Sequence, residues 1–119
     1  MSNKTPTSLQ AKLSRLDARH RAIIGELADI GLVLRGSIAA RKGRCGKPAC
    51  RCHRDPEALH GPYHIWTRKR AGKTVTVVLS PEEAAVCQQW TQNMRRLDRL
   101  VMALQALGQR AAEAVRSAE

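Results

Sequence analysis

Residues 45–64 read CGKPACRCHRDPEALHGPYH, and the fold is best read outward from this stretch. Three cysteines, Cys45, Cys50 and Cys52, fall within eight residues as C-x4-C-x-C. A tetrahedral zinc ion takes four ligands, mostly thiolates and imidazoles. This one loop supplies three, and Gly46 and Pro48 let it bend around an ion. The fourth ligand must come from His53, His60, His64 or Cys87. His53 adjoins Cys52 and would chelate with poor geometry. Cys87 falls in an expected helix, where a small buried side chain is the plainer role. His60 stands eight residues beyond Cys52, beside Gly61-Pro62, where a turn brings the chain back. The order of preference is His60, then His64, then His53. A redox switch and thiols with no shared role are the competing readings. Catalytic zinc needs an open coordination position and a nearby carboxylate, and Asp55 and Glu57 are the only acids in the stretch. No Cys-His-Asn or Cys-His-Asp arrangement is suggested, so no catalytic residue and no enzyme activity are expected.

The charge pattern gives the cysteine loop a context. The chain has 119 residues and a formal net charge of +11. Residues 1–34 carry +2, residues 35–73 carry +9, and residues 74–119 carry none. A basic centre between two nearly neutral ends looks like a contact surface for a polyanion. Arg41, Lys42, Arg44, Lys47, Arg51 and Arg54 lie in or near the loop. Arg68, Lys69, Arg70 and Lys73 follow at the expected tip of a hairpin. These ten are the expected nucleic-acid contacts, directed at phosphates rather than base edges. Only Tyr63 and Trp66 offer stacking platforms nearby, which favours a duplex over a single strand. The segment has few apolar residues and many like charges, so it cannot offset its own chain entropy. Metal binding would then be coupled to folding, and Cys50→Ser should unfold the centre.

Further out, periodicity takes over. His64–Arg68 and Thr74–Leu79 are rich in β-branched residues and flank Ala71-Gly72, which predicts a β-hairpin over 63–79. Residues 35–41 offer a third strand. Leu9, Leu13, Leu16, His20, Ile23, Leu27, Ile30 and Leu34 keep an unbroken a/d spacing, which predicts a helix over 9–34. Thr7 or Ser8 is its expected N-cap, with Gln10 completing a capping box after Thr7. Ser80-Pro81-Glu82-Glu83 starts a second helix over 80–117. Trp90, Leu97, Leu104 and Ala111 recur in sevens along it, with Asn93, Leu100, Leu107 and Ala114 as the companion row. Residues 1–8 read as a disordered start, and 9–119 as a single domain. The absence of a secretory signal and of any apolar run near the ~20 residues of a membrane span suggests a reducing cytoplasm, where clustered cysteines are more often metal ligands than disulfides.

The segment C-G-K-P-A-C-R-C, then H-G-P-Y and a strand pair carrying G-K-T, resembles a small uncharacterised bacterial family with a C-G-K-P-x-C-x-C…H-G-P-Y signature between helical flanks. The resemblance covers roughly residues 34–85, and the outer helices by pattern alone. It implies Cys45, Cys50, Cys52 and His60 as the metal set, with Gly61, Pro62 and Tyr63 as the following turn. It favours His60 over His53, which stands where relatives have a small residue. It also implies an accessory protein of transposons or site-specific recombinase modules.

The expected fold is therefore α+β: two long heptad-patterned helices flanking a zinc loop and a small antiparallel β-sheet. The expected function is DNA binding in support of a transposase or recombinase of a mobile element. Zinc would be structural, and the heptad helices would join a second copy or the recombinase. The expected setting is the bacterial cytoplasm, on the nucleoid when bound. The alternative is a coiled-coil interaction adaptor or regulator whose basic patch only assists.

Overall fold

The structure, a computed structural model, describes residues 7–118. The fold is α+β: helix α1 (Ser8–Ala28), strands β1 (Ser37–Gly43), β2 (His60–Arg70) and β3 (Lys73–Leu79), then helix α2 (Pro81–Ser117). The strands form one antiparallel sheet in the order β1-β2-β3. The chain divides into two compact units. One holds α1, the chain up to Gly31, and α2 from Arg95 onward; the other spans Leu32–Met94. Among the described residues no helix is long and apolar enough to cross a membrane.

Both helix starts form as their sequences require. The Thr7 hydroxyl accepts from the Gln10 amide at 3.0 Å, and the Gln10 side-chain carbonyl accepts from the Thr7 amide at 2.9 Å. At α2, the Glu83 amide donates to the Ser80 hydroxyl at 3.1 Å, and the Ser80 amide donates to the Glu83 carboxylate at 2.8 Å. Each pair satisfies two backbone donors that a helix N-terminus otherwise leaves open. The disordered start expected for residues 1–8 is thus corrected at Thr7 and Ser8, while residues 1–6 lie outside the described residues.

The helix expected over 9–34 stops at Ala28. The Asp29 amide donates to Glu26 and Leu27, closing the last turn. Beyond it the backbone bonds to α2 instead of to itself. The Leu34 amide donates to the Trp90 carbonyl at 3.1 Å, and the Asn93 side-chain amide donates to the Leu32 carbonyl at 2.8 Å. Ile30 and Leu34 therefore belong to the connection, where Gly31 also weakens the helix.

The sheet follows from its alternation. Ile38, Trp66 and Val77 stand in register across the three strands, as do Ala40, His64 and Leu79. That face meets the start of α2, where Ile38, Ala40 and His64 share a hollow of about 350 Å³ with Pro81, Ala84 and Gln88. Ala71 and Gly72 both have positive φ, 52° and 80°, and join Arg70 to Lys73 as the two-residue turn of a hairpin. The hairpin begins at His60 rather than at 63, and the third strand runs to Gly43 rather than to 41. Within Leu32–Met94 the buried side chains are Cys52, Ala84, Thr91 and Met94, of which Cys52 and Thr91 are fully buried. A unit with so little apolar core needs another source of stability.

Candidate metal centre and basic surface

The sheet delivers the first and last members of the cysteine cluster. In the β1–β2 ladder Arg41 pairs with Tyr63 and Gly43 pairs with His60, with a bulge between the two pairs. Gly43 lies two residues before Cys45, so strand pairing sets His60 next to the start of the loop. The expected turn over Gly61, Pro62 and Tyr63 is corrected here. These residues lie inside β2, and His60 is its first residue. The ladder returns His60 to the cysteines.

The loop supplies the other two members of the group. The Cys50 amide donates to the Lys47 carbonyl at 3.0 Å, folding residues 47–50 into a turn. A single turn of 3-10 helix over Arg51–His53 then carries Cys52 inward until it is 1% exposed. A second short turn, Pro56–Ala58, leads back to β2 and is started by Asp55. The Asp55 carboxylate accepts from the Glu57 amide at 3.0 Å and holds the Arg51 guanidinium at 2.9 Å. Arg51, an expected phosphate contact, thus also fastens the loop.

The ligand atoms of Cys45, Cys50, Cys52 and His60 all lie within 4.8 Å of one another. The Cys45 and Cys52 sulfurs are 3.7 Å apart, and the Cys50 sulfur is 3.3 Å from His60 Nε2. Four ligands around a tetrahedral ion with metal–sulfur bonds of about 2.3 Å have sulfur–sulfur edges of about 3.8 Å. Three thiols and one imidazole in this arrangement are able to hold a metal ion. His53, His64 and Cys87 stand outside the group. His53 Nε2 lies 2.9 Å from the Cys45 carbonyl, which it meets as a donor, and so it steadies the backbone of a ligand. This role was not legible in the spacing, since a histidine beside a ligand reads first as a competing ligand.

The environment divides the thiols. Cys50 is drawn down to about 6, chiefly by a backbone hydrogen bond from Cys52, then by His60 and the other two sulfurs. Burial pushes the Cys52 thiol up, against the Cys45 amide that donates to its sulfur at 3.3 Å. In metal-free protein at neutral pH, Cys50 is expected to react with iodoacetamide at least about tenfold faster than Cys52. Its rate should fall as the pH is lowered through 6, where the thiolate takes up a proton. Peptide mapping after brief labelling checks both points.

The ten basic residues do not form one continuous patch. Arg41, Lys42, Arg44, Lys47, Arg51 and Arg54 lie at the metal end of the sheet, all exposed. Arg68, Lys69, Arg70 and Lys73 lie at the hairpin end. The ten residue steps of β2 from His60 to Arg70 span about 33 Å at strand rise, and Arg41, opposite Tyr63, is the loop-side cation nearest the hairpin end. Arg68 lies over the Trp66 ring, 4.0 Å from its centre, and the Trp66 indole donates to the Arg35 carbonyl at 2.9 Å. Beside this stack, Arg35, Arg68, Lys69, Ser37, Thr67 and Thr74 line a hollow of about 370 Å³. Three cations and three hydroxyls there are the donor set that phosphate oxygens accept from. Arg35 and the hydroxyls were missed in the sequence, because only strand register brings residues 35–37 beside Thr67.

The sequence profile of a family described as a domain of unknown function, DUF6788, matches residues 11–89. That description names neither a transposase nor a recombinase. No curated protein and no solved structure matches the chain.

Proposed function

The chain belongs to the DUF6788 family, and from that premise we propose that it is a zinc-stabilised DNA-binding accessory protein. The metal we assign to the Cys45, Cys50, Cys52 and His60 group is Zn2+, because three thiolates and an imidazole form a closed set with no position left for substrate. Its role is structural: when bound, it fixes the loop that carries Arg44, Lys47, Arg51 and Arg54. These residues bind and orient a polyanion, and no bond is made or broken.

The observation that carries the reading is the placement of cations at both ends of one sheet. The ends of the strand that carries them, His60 and Arg70, are about 33 Å apart, close to one turn of B-form DNA, about 34 Å. A duplex lying along the sheet would meet the loop cations and the hairpin-tip cations about one turn apart. The open sheet face between them carries Ala39, Ile65 and Val78 in one rung and the short hydroxyls of Ser37, Thr67 and Thr76 in the next, and neither rung holds an Arg, Asn or Gln able to pair bidentately with a base edge. Binding should therefore be driven by phosphates and weakly sequence-dependent. A mobile element's transposase or recombinase remains the proposed partner, on the resemblance of the C-G-K-P-x-C-x-C…H-G-P-Y signature alone.

Anisotropy titrations with a generic duplex at several salt concentrations test this. If about six phosphates are neutralised, the log–log salt slope should lie near −5. Arg68→Ala with Arg70→Ala should weaken binding roughly tenfold and make that slope shallower by about 2. A duplex affinity that ignores both salt and these two substitutions would remove the DNA reading.

A further inference from the structure

We propose that the groove between α1 and the C-terminal half of α2 is a docking site for an acidic amphipathic helix of a partner protein. The site lies in the helical unit, outside the Cys45–His60 group and the sheet, and it stands independently of the nucleic-acid reading.

The first observation is an unfilled seam. No residue of α1 is buried, although α2 buries Leu100 and Leu107. Three hollows of about 490, 430 and 220 Å³ run along the seam and share lining residues: Leu16 joins the first two, and Lys12, Ala114 and Ser117 join the first and third. These hollows are open to solvent along the side of the helix pair, so the apolar surface lining them is within reach of a partner. The floor is apolar and half-buried, built from Leu9, Leu13, Leu16, Leu104, Ala111 and Ala114.

The second observation is the rim. Lys12, Arg15 and Arg19 from α1 and Arg110 from α2 line the largest hollow. All four are exposed, and none has an ion-pair partner among the described residues. Glu113 is the only acid lining that hollow, and its carboxylate lies 3.4 Å from the Gln109 side-chain amide, which donates to it. Asp17, in the next hollow, is paired with Arg21 at 3.0 Å. Counting charge along the chain conceals this rim, because its members come from the two nearly neutral ends.

An apolar floor between cationic walls selects its occupant by chemistry. A helix with a leucine stripe fills the floor, and glutamates flanking the stripe meet the walls. A nucleic acid offers the charge but no apolar stripe. A second copy of this chain would set the same cations against the rim.

The test uses the full, metal-loaded chain and a fluorescent helical peptide of about three heptads, with Leu at a and d and Glu at e and g. Saturable binding is expected, weakened at least about fivefold between low and physiological salt. Arg15→Glu with Arg110→Glu should weaken it at least about tenfold with helix content unchanged. Lys12→Gln with Arg19→Gln provides a milder second variant expected to act in the same direction. Arg68→Ala with Arg70→Ala should leave peptide binding intact even if duplex binding is lost. No binding, or equal binding of the same peptide with Lys in place of Glu, overturns the proposal. It is also overturned if the groove variants weaken duplex DNA but not the peptide, or if sedimentation shows the groove already filled by self-association.

Discussion

Cys52→Ser is expected to abolish stoichiometric metal binding and, with it, the folded sheet. Cys52 is the most buried of the cluster, 1% exposed, and its sulfur lies 3.7 Å from that of Cys45. A serine hydroxyl is a poor substitute for a thiolate, and here it would be buried beside two other sulfurs. The rest of the unit has little to fall back on. Across Leu32–Met94 Ala84, Thr91 and Met94 are the other buried side chains, so apolar packing contributes far less than a metal ion can. Structural zinc contributes about 10–16 kcal/mol in finger peptides, more than most small domains have in total stability. Protein purified without added metal should carry about one ion per chain, and the variant close to none. Amide exchange should show β1, β2 and β3 unprotected in the variant. His60→Ala should behave like Cys52→Ser. His53→Ala and Cys87→Ser should keep their metal, because His53 touches only the Cys45 carbonyl and Cys87 lies apart on α2. Full metal content and an unchanged melting point in Cys52→Ser would end the structural-metal reading.

What could be read from the chain, and what could not, divides along local and non-local physics. Capping boxes at Thr7–Gln10 and Ser80–Glu83 are four-residue events, and each was legible as written. So was the Ala71-Gly72 turn, because Gly72 tolerates the positive φ that a two-residue hairpin loop demands, while Ala71 adopts it at a cost. The end of α1 was not legible. The apolar spacing runs unbroken to Leu34, but Asn93 and Trp90 claim the Leu32 and Leu34 backbone groups from 61 and 56 positions away. The metal group was half legible. Three cysteines in one loop announce themselves, whereas His60 had to be chosen among histidines. What selects it is the register Gly43–His60, which depends on a bulge that composition does not reveal. The basic residues look continuous in sequence because the turns between them are short. In space a single strand of eleven residues carries them to opposite ends of a sheet. The heptads promise helices, yet they do not reveal that the seam between α1 and α2 stays open on one side.

Gly61→Ala is expected to damage metal binding without touching a ligand, and it tests whether the sheet positions the site. Gly61 has φ of +111°, a conformation that costs an L-residue about 1–3 kcal/mol. An added Cβ would also stand 2.8 Å from the Tyr63 amide nitrogen and 2.9 Å from the Arg41 carbonyl oxygen. Both are backbone atoms, so neither can rotate aside. The relief available is to push β2 away from β1 where Arg41 pairs with Tyr63, one step from the Gly43–His60 pair. His60 would then leave the cysteines, so metal affinity should fall at least about tenfold and the melting point by several degrees. Two other glycines separate this from a general cost. Gly46→Ala, inside the loop with open space around its Cβ, should be close to neutral. Gly72→Ala has positive φ but no near neighbour, so it should strain only the hairpin tip and leave metal affinity unchanged. Competition with a chelator of known affinity measures all three. Should Gly61→Ala hold its metal as tightly as the parent while melting lower, the loop would be positioning His60 by itself. The β1–β2 ladder would then carry only the sheet.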